Sequence, residues 1–169
     1  MKLKKKYVYA VLAILWMALI FSFSAKEADE STEMSLGVGH IVGSVFVKDY
    51  DNWPEETQED FARKIDHPVR KTAHAAEYAL LGMLLMGTFC DCEIENKEEI
   101  RIYRKKQMLY SYIVGTMYAA TDEFHQLFVA GRSGRFSDVM LDSAGVFAGI
   151  MIVFAFYWCK KRVKSLDKL

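Results

Sequence analysis

The sequence lacks several things that would narrow its function at once. Its 22 Lys and Arg balance 22 Asp and Glu, and a chain without net charge is not a general nucleic-acid binder. It has three cysteines. Cys90 and Cys92 stand one residue apart, not the two of a redox or zinc motif, and Cys159 stands alone. All three lie near the ends of apolar runs, and they read as reduced, small apolar fillers, with lipidation as the alternative. The two prolines, Pro54 and Pro68, fall where helices can begin. No stretch alternates like a barrel strand, and no internal repeat appears. At 169 residues the chain fits one domain.

What is present is apolar length. Four runs stand out, at about 7–23, 72–90, 108–129 and 139–159. The last three are 19 to 22 residues long, the length a helix needs to cross a hydrocarbon core. In lipid a helix satisfies its own backbone hydrogen bonds. The first run is about 17 residues, a length shared by short spans and signal peptides, and "SFSA" would serve as a cleavage site. Three further runs favour a retained span. The expected fold is therefore all-α: one membrane domain over 1–169, a bundle of four transmembrane helices with a long outer loop at 24–71 carrying short helices.

Lys and Arg next to the spans set orientation. "KLKKK" precedes the first run, "KEEIRIYRKK" joins the second to the third, and "KKRVKSLDK" follows the fourth. Placing these inside gives a multi-pass membrane protein with both termini cytoplasmic. Trp16 and Trp158 then read as interface anchors. In the outer loop, Val38, Ile41, Val42 and Val45 recur at helical spacing, as in an amphipathic helix on the membrane surface. His40 there reads as incidental. "NWPEETQEDFARKIDHP" reads as a short helix starting at Pro54 and ending near Ile65, with Asp66 and Pro68 as cap and first turn of the second span.

This topology brings ionisable residues from three spans to one depth at the outer face. The second span contributes Arg70, Lys71, His74, Glu77 and Tyr78. The third contributes Asp122, Glu123, His125 and Gln126. Asp138 and Asp142 open the fourth, and the joining turn carries Arg132 and Arg135. Separations of three and four put Arg70, His74, Glu77 and Tyr78 on one helix face, Asp122, His125 and Gln126 on another, and Asp138 and Asp142 on a third. Gly145 and Gly149 follow on that third face as a GxxxG pattern, with Gly82, Gly115 and Ala119 as further close-approach positions. Charge near lipid is expensive, and arginines beside carboxylates offset it by pairing.

Three uses suit such a cluster. It can hold and transform an anionic headgroup, with Arg70, Lys71 and Arg132 gripping the anion. Glu77, Glu123 and His125 would then move protons, Asp122 orienting His125. His74, Tyr78, Gln126, Asp138 and Asp142 would line the same binding site. It can hold a metal, since His74 with Glu77 and Asp122 with His125 are three apart, although no metal site is assigned and no cofactor is indicated. It can carry protons or ions, which charges confined to one end of the spans disfavour. The bland alternative is a set of helix caps and bundle-knitting pairs, with Asp138 as an N-cap and the arginines snorkelling.

At these residues the chain resembles the VanZ-like family of bacterial membrane proteins. The resemblance is carried by "RKTAHAAEYALLG" (Arg70 to Gly82) and "DEFHQLFVAGRSGRFSDVMLDSAG" (Asp122 to Gly145), with "WMALIFSFS" in the first run. Ala130 stands where many members have proline. The resemblance implies a small multi-span protein and singles out Arg70, Lys71, His74, Glu77, Tyr78, Asp122, Glu123, His125, Gln126, Arg132, Asp138 and Asp142. The family is named for a protein associated with teicoplanin resistance, so an effect on glycopeptide susceptibility is implied. The expected partners are the lipid bilayer and an anionic lipid headgroup or lipid-linked wall precursor, and no nucleic acid. The competing expectation is a non-catalytic scaffold. The paired Lys-Arg, Ser-Gly-His and Arg-His motifs of the common membrane phosphatases are missing.

Overall fold

A computed structural model describes residues 5–89 and 97–166 of the chain. These residues form five long helices and, among them, no strand: α1 (Lys5–Ser24), α2 (Ala28–Phe46), α3 (Glu55–Thr88), α4 (Lys97–Gln126) and α5 (Phe136–Leu166). A single 3₁₀ turn, Tyr50–Asn52, links α2 to α3. The all-helical class is as expected. The readings for Cys90, Cys92, Cys159 and Trp158 fall outside what the structure describes.

Two of these helices, Lys5–Ser24 and Phe136–Tyr157, are long and apolar enough to cross a membrane, judged by length and composition. The distribution of side chains is inverted relative to a protein in water. Ile14 and Leu15 are 65% and 61% exposed, while Asp122 and Asp142 are each only 1% exposed. A wide apolar exterior of this kind marks a surface made for lipid or for another apolar body.

α3 is the central post, touching all four other long helices and packing most extensively on α5. That seam is made by small residues. A Cβ added at Gly145 would strike the Ala75 carbonyl, one at Gly149 the Ala79 carbonyl, and one at Gly82 the Val146 carbonyl. The GxxxG pattern thus brings two backbones together, as small residues do between membrane helices. Gly115 lets α4 close on Val146, and Ala119 is fully buried nearby. Tyr78, Leu81, Val146 and Ile150 form the centre of the core.

Two expectations are corrected here. No helix ends near Ile65, because α3 runs unbroken from Glu55 to Thr88 through Pro68. Pro54 caps it, and Glu55 and Glu56 occupy its first turn, where carboxylates suit the helix dipole. A proline inside a helix forfeits one backbone hydrogen bond. α2 packs on the turns just before that weak point, with Ser35 bonded to Asp66 and Gly39 packed on Ala62. Asp66 is therefore no cap; its carboxylate accepts from the Ser35 hydroxyl and pairs with Arg70 at 2.8 Å. At 34 residues and about 1.5 Å per residue, α3 is about 51 Å long, well beyond a hydrocarbon core of about 30 Å. Second, Trp16 is partly buried rather than an interface anchor. It packs against the core, and its indole N–H donates to the Glu77 carbonyl at 2.9 Å.

α2 is the helix expected in the loop, and its two faces differ. Ser35, Gly39 and Gly43 are buried, four residues apart, and Gly43 meets the Tyr50 ring. Val38, Ile41 and Val45 are exposed away from that face.

Candidate functional site

Three stretches of chain meet at the end of the bundle where α3 is joined by the α4–α5 turn. The turn owes its path to two glycines. Gly131 sits at φ +71°, in the left-handed region that side chains disfavour. Gly134 lies so close to the Glu123 carbonyl that a Cβ would collide with it. This approach lets the Arg135 backbone N–H donate to Glu123 Oε2 at 3.1 Å. The turn also donates from Arg132 to α1, through Nε to the Lys26 carbonyl at 2.9 Å and through Nη2 to the Phe23 carbonyl at 3.2 Å. These are carbonyls at and just beyond the C-terminal end of α1, groups a helix leaves without internal partners.

The result is a cavity of about 200 Å³ lined by Arg70, Lys71, His74, Glu123, Gln126, Arg132, Asp138 and Asp142, together with His67, Ser133 and Arg135. Eight of the twelve residues singled out from sequence thus share one wall. Glu77 lies beside it, on a larger groove that His74, Arg70 and Arg132 also line. Asp122 and Tyr78 are buried. Asp122 Oδ2 accepts from the Ser24 hydroxyl at 2.7 Å and from Gln126 Nε2 at 3.4 Å, and Gln126 also donates to Glu123 Oε1 at 3.1 Å. His125 is placed apart: its ring stacks on Phe21 with centroids 4.4 Å apart. The expected Asp122–His125 contact is absent among the described residues, because Asp122 faces Ser24 and Gln126 instead.

The charges are unequally satisfied. Lys71 pairs with Asp138, and Arg70 with Asp66. Arg132 forms no ion pair among the described residues. Its bonds go to the two carbonyls and, at 3.4 Å, to Gln126 Oε1. Burial and the nearby Arg70 both push its pKa down, against the pull of Asp122, Glu123 and Glu77. A guanidinium nonetheless keeps its proton in proteins, so a half-buried cation stands beside another at this wall. Deeper in, Tyr78 Oη, Asp122 Oδ1, Asp142 Oδ2 and His74 Nδ1 are buried with no hydrogen-bond partner among the described residues. Such groups are rare in native proteins. His74 Nδ1 stands 3.7 Å from Glu77 Oε2. Among the described residues no group of three or more His, Cys, Asp or Glu is arranged to hold a metal ion.

A family model described as VanZ/LLP1 matches residues 9–157. The chain belongs to the VanZ/LLP1 family. The match takes in most of α1, the whole cavity wall and most of α5, so in this VanZ/LLP1 member the site lies inside the family region. No curated protein and no solved structure matches the chain.

Sequence reasoning passed over Ser24, Lys26 and Ser35, and read Asp66 as a cap rather than as a partner of Arg70. Asp66 and Arg70 stand at i, i+4, the spacing of a helical ion pair, and that signal was legible. Ser24 carried none: only folding brings it to Asp122, 98 positions away.

Proposed function

We propose that this VanZ/LLP1 protein is a multi-pass membrane protein of the bacterial envelope. Its outward-facing polar site binds the anionic group of a lipid or lipid-linked wall precursor, and so alters susceptibility to glycopeptides such as teicoplanin. The observation that carries the reading is Arg132: a half-buried guanidinium without a carboxylate partner, beside Arg70, on a wall shared with Lys71 and His74. Paired cations with spare donors suit phosphate or carboxylate.

Four spans are favoured by the exposed apolar residues of α4, including Leu109, Ile113 and Met117, and by the length of α3. The bonds from α1 to the rest favour its retention. Trp16 reaches α3, Tyr118 Oη donates to the Met17 carbonyl at 2.6 Å, and Ser24 reaches Asp122. Cleavage after "SFSA" would remove all three. Both Glu123 oxygens are engaged, one by the Arg135 backbone N–H of the turn and one by the Gln126 amide, and His125 lies against Phe21, so the arrangement favours binding over proton transfer.

A scaffold reading has its own support in the pairs Lys71–Asp138 and Arg70–Asp66. Teicoplanin susceptibility separates the two. Cells carrying the wild-type chain should tolerate more teicoplanin, and cells carrying Arg132→Gln at matched membrane abundance should not. Equal protection by the variant would remove the anion site and leave the scaffold. No protection by the wild type would remove the susceptibility role.

A further inference from the structure

The anion site has a neighbour that the functional reading leaves unused. Between α2 and α3 lies a groove of about 780 Å³, within the range of roughly 300–1,000 Å³ usual for small-molecule sites. Val38 and Val42 of α2 line it, with Phe61, Ile65 and Val69 of α3. α2 runs antiparallel to α3, since Ser35 meets Asp66 while Gly39 meets Ala62. The start of α2 therefore lies toward the anion site. There the lining changes from apolar to charged, with three cations, Lys26, Arg70 and Arg132, against one carboxylate, Glu77. Lys26 donates to the Met34 sulfur at 3.2 Å, a weak acceptor that leaves its charge uncompensated. Arg70 and Arg132 line both cavities, so a group held between them reaches the polar site and the apolar groove together. The outer side of α2 is apolar as well, with Ile41 64% and Val45 67% exposed, so the groove opens beside a surface that itself suits lipid.

We propose that this groove holds a hydrocarbon chain of an anionic phospholipid whose phosphate sits between Arg70 and Arg132. The proposal rests on the anion-site reading and adds the chemical class of the ligand. An apolar trough ending in cations matches one apolar chain ending in an anion. A free anion leaves the trough without an occupant, and a zwitterionic lipid brings a cation against Lys26.

The test uses the full chain, purified and returned to lipid nanodiscs, with two probes. One is phosphatidylglycerol carrying a photoreactive diazirine in its acyl chain, compared with phosphatidylcholine of the same chain, and labelled peptides are mapped by mass spectrometry. The other is water-soluble glycerol phosphate, read by its effect on the melting temperature. We expect phosphatidylglycerol to label the α2 and α3 groove peptides about tenfold more than phosphatidylcholine, the scale of one charge-assisted hydrogen bond. Val42→Trp, or Ala73→Phe from the opposite wall, should abolish that labelling while glycerol phosphate still raises the melting temperature. Arg132→Gln should abolish both effects. Equal groove labelling by the two lipids, or undiminished labelling in a folded groove-filling variant, overturns the proposal. Stabilisation by glycerol phosphate without groove labelling overturns the groove and leaves the anion site standing. Loss of both in the wild type overturns both.

Discussion

α3 makes two seams that differ in one respect. Against α5 it is closed: Ala75 and Ala79 present backbone carbonyls to Gly145 and Gly149 with no room for a single added methyl group. Against α2 it is closed only along Ser35 and Gly39, which meet Asp66 and Ala62, and opens into the groove that ends at Lys26, Arg70 and Arg132. Both seams carry small residues four apart, so the pattern alone does not distinguish them. The difference lies in what surrounds the small residues. The closed seam lies among Tyr78, Leu81 and Val146 at the centre of the core. The open one is bordered by charges that cannot be packed away without partners.

The largest expected effect comes from breaking the closed seam. Gly149→Leu drives a side chain into the Ala79 carbonyl, which is backbone and cannot swing aside. Overpacking costs about 1–3 kcal/mol, and more where nothing gives. The variant should fail to yield folded protein, or melt far below the wild type in detergent; an unchanged melting temperature would mean the two helices do not meet there. Asp122→Ala comes next. It strips the Ser24 hydroxyl and the Gln126 amide of their acceptor at about 2–3 kcal/mol, whereas Asp122→Asn retains an oxygen and should lose less. Melting temperatures of the two variants, side by side, check the order. At the rim, a double-mutant cycle on Lys71→Met and Asp138→Asn should give a coupling of only about 0.5–1 kcal/mol, since the pair is partly exposed. A larger value would mean the pair belongs to the buried network.

The smallest effect sharpens the contrast within α2. Nothing lies within 4 Å of a Cβ built at Gly37, which is exposed mid-helix. Gly37→Ala should raise stability by about 0.4–1 kcal/mol, while Gly43→Ala, facing the Tyr50 ring, should lower it. Chemical denaturation of the two variants reads the sign directly.

Much of the site was legible because its residues are chemically out of place. His74, Glu77, Asp122 and Asp142 interrupt apolar runs, Arg70 stands just before one, and helical spacing brings such residues to common faces. Finer placement was not legible. His125 stands three positions after Asp122, about 60° short of a full turn, and that offset carries it from the cluster to Phe21. The length of α3 was obscured by Pro68, which locally argues for a helix start, whereas the helix runs through it. Ser24 and Lys26 have no local signature, since their roles are created by the fold.

The claim on which the account turns is that the polar end of the bundle faces out of the cell. In a chain with Cys90, Cys92 and Cys159 replaced by serine, Ser133→Cys puts one thiol in the turn that lines the site. A membrane-impermeant maleimide applied to intact cells should label it, with no further gain when the membrane is disrupted. Labelling that appears only after disruption would put Arg132 and its neighbours on the cytoplasmic side and contradict an envelope-facing anion site.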